Sequence, residues 1–407
     1  MSVGLTAISV LRIRDFRLYA IHSLLAQLAA EILIVAIQWS LYDVSHDAAV
    51  LGLLGLVQFL PNCALVLLTG AAADRFSRKR ILTLCMVSEF AFALGIFLVA
   101  SAGLREVWPI LLLVAGLAVG RAFANPAALA LAPNLVERAQ IPAAIATSTS
   151  AWQLSSIAGP ALGGVLYGVA PTAAYLTALA MVVVSGLAVF LIRKQEELRA
   201  ITIDRADSLI GGFRFMLKQK VVLGAASLDL FAVLLGSTPA LLPVFARDIL
   251  VTGPWGLGLL RAGIGIGALA MALFLAAKPI RRRAGAIMFA AVAVFGLGTI
   301  AFGLSRSIGI SVAALILMGA SDMISVYIRE VLVQLWTPDS LRGRVNAVYM
   351  LMISASNELG AARAGFAGKA FGAVTAVVVG GACTVACAAL WAKCFPSLRN
   401  ADDLTAA

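Results

Sequence analysis

Residues 50–80 read VLGLLGLVQFLPNCALVLLTGAAADRFSRKR, an apolar run that ends on Asp74 and then on Arg75, Arg78, Lys79 and Arg80. A bilayer-spanning helix needs about 20 largely apolar residues, because hydrocarbon offers its backbone no hydrogen-bonding partner. The run meets that length, and its basic end belongs in water beside the headgroups.

The same alternation recurs along the chain. Apolar stretches lie near 18–42, 50–73, 81–102, 107–131, 145–167, 172–192, 221–246, 256–277, 284–304, 309–333, 344–366 and 371–394. Overall the 407 residues are 62% hydrophobic and 13% charged, against about a quarter charged in globular proteins. The expected fold is an all-α integral membrane protein of twelve transmembrane helices. The polar stretch from Arg193 to Lys220 divides it into an N-terminal six-helix bundle, 1–192, a cytoplasmic linker, 193–220, and a C-terminal six-helix bundle, 221–407. Weak repeats accompany the division: Pro133-Asn134-Leu135 follows the fourth span and Pro338-Asp339-Ser340-Leu341 the tenth. Paired halves of this kind are the repeat logic of transporters that hold their cargo between two bundles.

A net charge of +11 would suggest nucleic acid in a soluble protein, but here the basic residues sit in short loops. Placing the N-terminus in the cytoplasm puts Arg12, Arg14 and Arg17, the Arg75–Arg80 cluster, Arg138, Lys278, Arg281 to Arg283, Arg342, Arg344, Lys393 and Arg399 inside. Only Arg105, Arg247, Arg306 and Lys369 fall outside. That asymmetry orients both termini to the cytoplasm. Arg12, Arg14, Asp15 and Arg17 interrupt the first residues before a span begins, so the N-terminus is read as retained rather than as a signal peptide. The five cysteines lack paired spacing, His22 and His46 have no metal or nucleophilic partners in the pattern, and no cofactor is expected. Gly263-Ile264-Gly265-Ile266-Gly267 lies inside a span with no preceding strand, so it reads as helix packing. No Gly-x-x-x-x-Gly-Lys-[Ser/Thr] stretch occurs, which leaves an ion gradient, the membrane potential or the cargo's own gradient as energy source.

Ionisable residues inside spans cost about 2.5–3.5 kcal/mol each at a helix centre on the mildest scale, so they need partners or water. Such residues are Glu31, Glu89, Arg121, Asp229, Asp322, Arg329, Glu330 and Glu358. Asp322 and Arg329, seven apart, share a helical face and can pair. Arg329 and Glu330 stand near a helix end, where they are expected to snorkel. Gln27, Gln38, Trp39, Gln58, Asn62, Asn125, Trp152, Tyr327 and Asn357 are candidate cargo contacts in a mostly apolar wall suited to an amphipathic molecule.

Gly70-x-x-x-Asp74-Arg75-x-x-Arg78-Lys79-Arg80 resembles the loop between helices 2 and 3 of the major facilitator superfamily. Gly159-Pro160-Ala161-Leu162-Gly163-Gly164 resembles the helix 5 motif of that superfamily's exporters. Asp229-Leu230-Phe231, Ala240-Leu241-Leu242-Pro243, Ala246-Arg247-Asp248 and Thr337-Pro338-Asp339-x-x-Arg342-Gly343-Arg344-Val345 add a likeness to the enterobactin-type siderophore exporter and macrolide efflux branch. The resemblance implies the major facilitator fold and a cytoplasmic gate at Gly70, Asp74, Arg75, Arg78, Lys79 and Arg80. It implies a central cavity lined by helices 1, 4, 7 and 10, which carry Glu31, Arg121, Asp229 and Asp322. Those residues and Glu358 are the candidates for proton coupling. The expected protein is a monomeric exporter in a bacterial inner membrane, with a small amphipathic molecule and protons as its partners and no nucleic acid. A nutrient facilitator or symporter, a lysolipid flippase and a non-transporting sensor are the alternatives.

Overall fold

A computed structural model describes residues 10–103, 106–193, 205–280 and 282–399. It is all-helical. The principal helices are α1 (Arg14–Ser45), α2 (Ala48–Arg75), α3 (Arg78–Ser101), α4 (Trp108–Leu131), α5 (Ile141–Val169), α6 (Pro171–Phe190), α7 (Arg205–Lys218) and α8 (Lys220–Gly236). They continue with α9 (Gly253–Ala277), α10 (Ala284–Leu304), α11 (Ile308–Leu335), α12 (Asp339–Phe371) and α13 (Ala373–Cys394).

Ten described helices are long and apolar enough to cross a membrane. The long helices α5 and α12 fall short in composition rather than length. Ser148, Ser150, Gln153, Ser155 and Ser156 dilute α5, while Arg342, Arg344, Glu358, Arg363 and Lys369 interrupt α12. Helix ends follow local chemistry. The Ser77 hydroxyl accepts from the Arg80 amide at 3.4 Å to start α3, and prolines open α4, α5 and α6, where a missing N–H costs nothing. Gly372, at φ +85°, supplies the left-handed corner between α12 and α13.

The chain divides into two compact units. One comprises Met1–His46, Leu60–Thr202 and Gly253–Gly258, the other Asp47–Phe59, Ile203–Thr252 and Leu259–Ala407. In the first, α1 packs on α5 and α6, and α3 on α4 and α6. In the second, α10 packs on α11 and α13, and α8 on α12 and α13.

Two features go beyond the pattern of spans. The seventh span is not one continuous helix: α8 ends at Gly236 and the chain resumes as a 3₁₀ turn, Pro239–Leu241, a short helical piece, Leu242–Val244, and a π turn, Phe245–Ile249. Pro239 and Pro243 lack the amides that continuous α-helix requires. The linker holds α7, whose Met216 is 1% exposed among Val222, Ala226, Val345 and Tyr349. A Cβ on Gly212 would lie 2.8 Å from the Arg344 carbonyl carbon, so α7 meets the start of α12 at backbone distance. Leu209, Ile210, Phe213, Met216 and Leu217, at helical spacing in a charged stretch, are the signature of such a helix. Residues 194–204, which include the Lys194-Gln195-Glu196-Glu197 run, lie outside the described residues, as do Arg105 and Arg281.

Candidate functional site

Ionisable side chains gather at separate places within each unit. In the first, Arg121 of α4 donates through Nε and an Nη to Oε1 of Glu89 on α3, at 3.1 and 2.7 Å. Glu89 is 5% exposed. The partner of Arg121 is thus an acid that the sequence reading placed inside a span without giving it a role. Glu31, on α1, accepts from Nε2 of Gln27 one turn away at 3.3 Å.

The glycine motif of α5 explains how Glu31 is held. A Cβ on Gly159 would lie 3.2 Å from Glu31 Cγ, and one on Gly163 would lie 3.0 Å from Ile32 Cα. Gly164 faces elsewhere: its Cβ would lie 2.6 Å from the Pro254 carbonyl and 2.8 Å from Gly258 Cα, both at the start of α9. Small residues let backbones approach, so Gly159 and Gly163 seat α5 on α1 while Gly164 seats it on α9.

Within the second unit, Asp229 of α8 forms an ion pair with Arg329 of α11. The Arg329 Nε–H donates to the Tyr349 hydroxyl of α12, and the guanidinium stands 5.4 Å from the centre of that ring. Asp322 lies in electrostatic range of both Asp229 and Arg329. Arg329 is only 2% exposed, so it does not snorkel; Glu330, its neighbour, is exposed. The snorkelling expectation fails for Arg329 because Asp229 and Tyr349, from two other helices, supply the partners that a lone cation lacks. Glu358 of α12 faces Gly55 of α2, where a Cβ would stand 3.5 Å from Oε2, and it interacts electrostatically with Arg261 of α9. Arg261, and Arg363, whose Nε donates to the Leu234 carbonyl at 2.7 Å, are further cations within apolar runs. Neither is among the residues expected to act, although an arginine amid apolar residues is a visible signal.

The candidate gate residues are partly accounted for. Gly70 is buried in α2, and Asp74 lies in its final turn, with a side chain outside what the structure describes. Arg75 and Arg80 are exposed and Arg78 is half-buried. Lys79 is occupied within its own unit: Nζ donates to the Ile192 carbonyl beyond α6 and stands 5.8 Å from the centre of the Phe190 ring. A cation at a helix C-terminus is stabilised there by the orphan carbonyls.

Among the candidate cargo contacts, Gln38 and Trp39 are buried, and Gln38 Oε1 has no hydrogen-bond partner among the described residues. Gln27, Gln58, Asn62 and Tyr327 are half-buried, Tyr327 against the core of the second unit. Asn125, Trp152 and Asn357 are exposed.

Long apolar helices, a broken seventh span and charge pairs inside both units define a multi-pass membrane transporter of the major facilitator type. The fold is shared with a bacterial homologue of the human lysosomal transporter Spinster, in its inward-facing and occupied conformation (TM-score 0.73, 14% identity, 95% of this chain and 96% of that one). It is shared too with a D-xylose-proton symporter (TM-score 0.70, 15% identity, 95% of this chain and 98% of that one). The sequence profile of the major facilitator group described as transmembrane secretion effectors matches residues 5–406, and the chain belongs to that family. Its relatives include the enterobactin exporter EntS of Citrobacter koseri, 27% identical over 77% of this chain and 75% of that protein. The MFS-type transporter YvqJ of Bacillus subtilis is 26% identical over 85% of this chain and 84% of its own length.

Proposed function

We propose that this transporter exports a small amphipathic molecule, siderophore-like or drug-like, from the cytoplasm by alternating access in exchange for protons. Bundles 1–192 and 221–407, joined by 193–220, are its two moving parts, working as a monomer in a bacterial inner membrane with both termini cytoplasmic. The enterobactin exporters among its relatives favour export of a siderophore-like cargo.

The observation that carries proton exchange is the charge count at Arg329. Two carboxylates, Asp229 and Asp322, share one buried guanidinium. With Asp229 paired, the half-buried carboxylate of Asp322 leaves a second negative charge beside Arg329, and a proton on Asp322 removes it. Burial favours the neutral acid and a nearby cation the ionised one, so a change in solvent access at this place moves the proton. Tyr349 holds the guanidinium in register while the proton comes and goes. Glu31 and Glu358 are secondary proton sites in this scheme, the Glu89–Arg121 pair braces α3 against α4, and Gly70 and Asp74 with Arg75, Arg78, Lys79 and Arg80 close the cytoplasmic end.

Everted membrane vesicles with an acidic interior provide the test, with enterobactin as probe. Accumulation that a protonophore abolishes is expected. Accumulation indifferent to the protonophore would identify a facilitator, and loss of enterobactin from preloaded vesicles under the same gradient would identify an importer.

A further inference from the structure

Span seven bends where one backbone angle leaves the helical region. Ser237, directly after α8, has φ −58° and ψ 128°, whereas Thr238, at φ −116° and ψ −20°, is back among right-handed helical values. The bend is therefore concentrated at Ser237. Both residues are buried, with Ser237 7% and Thr238 1% exposed.

In a helix that ran on, the Thr238 amide would donate to the Leu234 carbonyl four residues back. That carbonyl instead accepts from Nε of Arg363 on α12 at 2.7 Å. The Thr238 amide and hydroxyl make no hydrogen bond among the described residues. Side chain and amide thus compete for one acceptor. The neighbouring carbonyls are already settled: Val233 accepts from the Ser237 amide at 2.9 Å, and Ala232 from the Thr384 hydroxyl of α13 at 3.1 Å. Pro239 has no amide for Leu235, so α8 can gain a bond at Leu234 and then stops.

Missing side chains make room for the guanidinium. A Cβ on Gly360 would lie 2.9 Å from the Val233 carbonyl, and one on Gly380 would lie 3.3 Å from an Arg363 Nη. Arg363 has no carboxylate partner among the described residues. The negative end of α8 compensates its charge instead. A cation inside a span is costly enough to call for a role, and this one is committed to a bend.

We propose that Arg363 is a positioning residue: by holding the Leu234 carbonyl it keeps span seven bent at Ser237, in one of two settings, the other being α8 wound on to the Thr238 amide. Its part in transport rests on the alternating-access reading, but not on the cargo or the proton. The bend itself is a property of the second unit and is measured directly.

Hydrogen exchange of the full-length protein, purified in a maltoside detergent, is followed by mass spectrometry in wild type, Arg363→Met and Arg363→Lys. Without the clasp the hinge samples both settings, and peptides covering Ser237–Leu250 should exchange about tenfold faster in Arg363→Met, as loss of a hydrogen bond from a charged donor implies. Arg363→Lys keeps a charged donor and should stay within about threefold of wild type. Peptides of α10 and α11 should match wild type in both variants. If Arg363→Met does not fold, Arg363→Gln takes its place under the same criteria. Unchanged exchange at Ser237–Leu250, acceleration spread equally over α10 and α11, a lysine variant as fast as the methionine one, or failure of both neutral variants to fold overturns the proposal. None of these results bears on enterobactin accumulation in vesicles, so the hinge and the export reading fail separately.

Discussion

The ammonium of Lys369 donates to Oδ2 of Asp47 across 2.5 Å, joining the residue before α2 to the last turn of α12. Beneath that pair the two helices touch at backbone distance: a Cβ on Gly52 would lie 2.8 Å from the Ala362 carbonyl and 3.1 Å from Gly365 Cα. A surface charge pair thus caps a crossing made possible by the absence of side chains.

The pair gives a pH-dependent contribution of known sign. Partial burial on its own would raise the Asp47 carboxyl, but the hydrogen bond and charge of Lys369 and the Ala49 amide outweigh it and hold the group below its ordinary value. A carboxylate depressed in the folded state contributes stability above its unfolded value and loses it as pH falls through the folded one. Lys369 is 61% exposed at its side chain, so solvent screening keeps the contribution below about 1 kcal/mol. Unfolding temperatures of wild type and Asp47→Asn should differ slightly at neutral pH and converge in acid. A difference that grows on acidification contradicts this.

The crossings make a prediction about glycine. Gly52→Ala and Gly164→Ala each drive a methyl group into backbone, which should cost about 1–3 kcal/mol. At Gly168, an exposed position near the end of α5, a Cβ meets nothing within 4 Å among the described residues. Gly168→Ala should therefore be neutral or stabilising by up to about 1 kcal/mol, since alanine restricts the unfolded chain. Thermal unfolding in detergent orders the three variants, and equal effects would mean that the close approaches do not matter.

Arg121→Gln leaves Glu89 buried without its cation. The exposure of Arg121, 29% at the side chain, keeps the loss at or below the roughly 3–5 kcal/mol seen when a buried pair is broken. The double variant Glu89→Gln, Arg121→Gln should recover much of it, because no charge is then stranded. Additive losses measured by unfolding would show that the two side chains act separately.

Much of this fold was legible in the sequence because bilayer thickness dictates the length of an apolar run. The stretch expected at 284–304 is α10, residue for residue, and most other spans differ by a few residues at their ends. The break after Gly236 was hidden by continuous apolarity, although Pro239 and Pro243 stood in view. Charge pairs were less legible: Glu89 and Arg121 are 32 positions apart, Asp229 and Arg329 on helices distant in the chain, and nothing in a linear pattern links them. Arg329 looked like a residue able to reach water because only the packed helices reveal Asp229 and Tyr349 around it. Nothing in the pattern links Lys79 to the Ile192 carbonyl, 113 positions away, to which it donates.

The most direct test of the proposed exchange compares two kinds of transport by one variant. Reconstituted wild type and Asp322→Asn are assayed with enterobactin, first under a pH gradient and then by counterflow at equal pH on both sides. If Asp322 carries the exchanged proton, the variant should lose gradient-driven accumulation by about tenfold or more, equivalent to about 1.4 kcal/mol of coupling, while counterflow persists. Gradient-driven transport at the wild-type rate in Asp322→Asn would contradict the account.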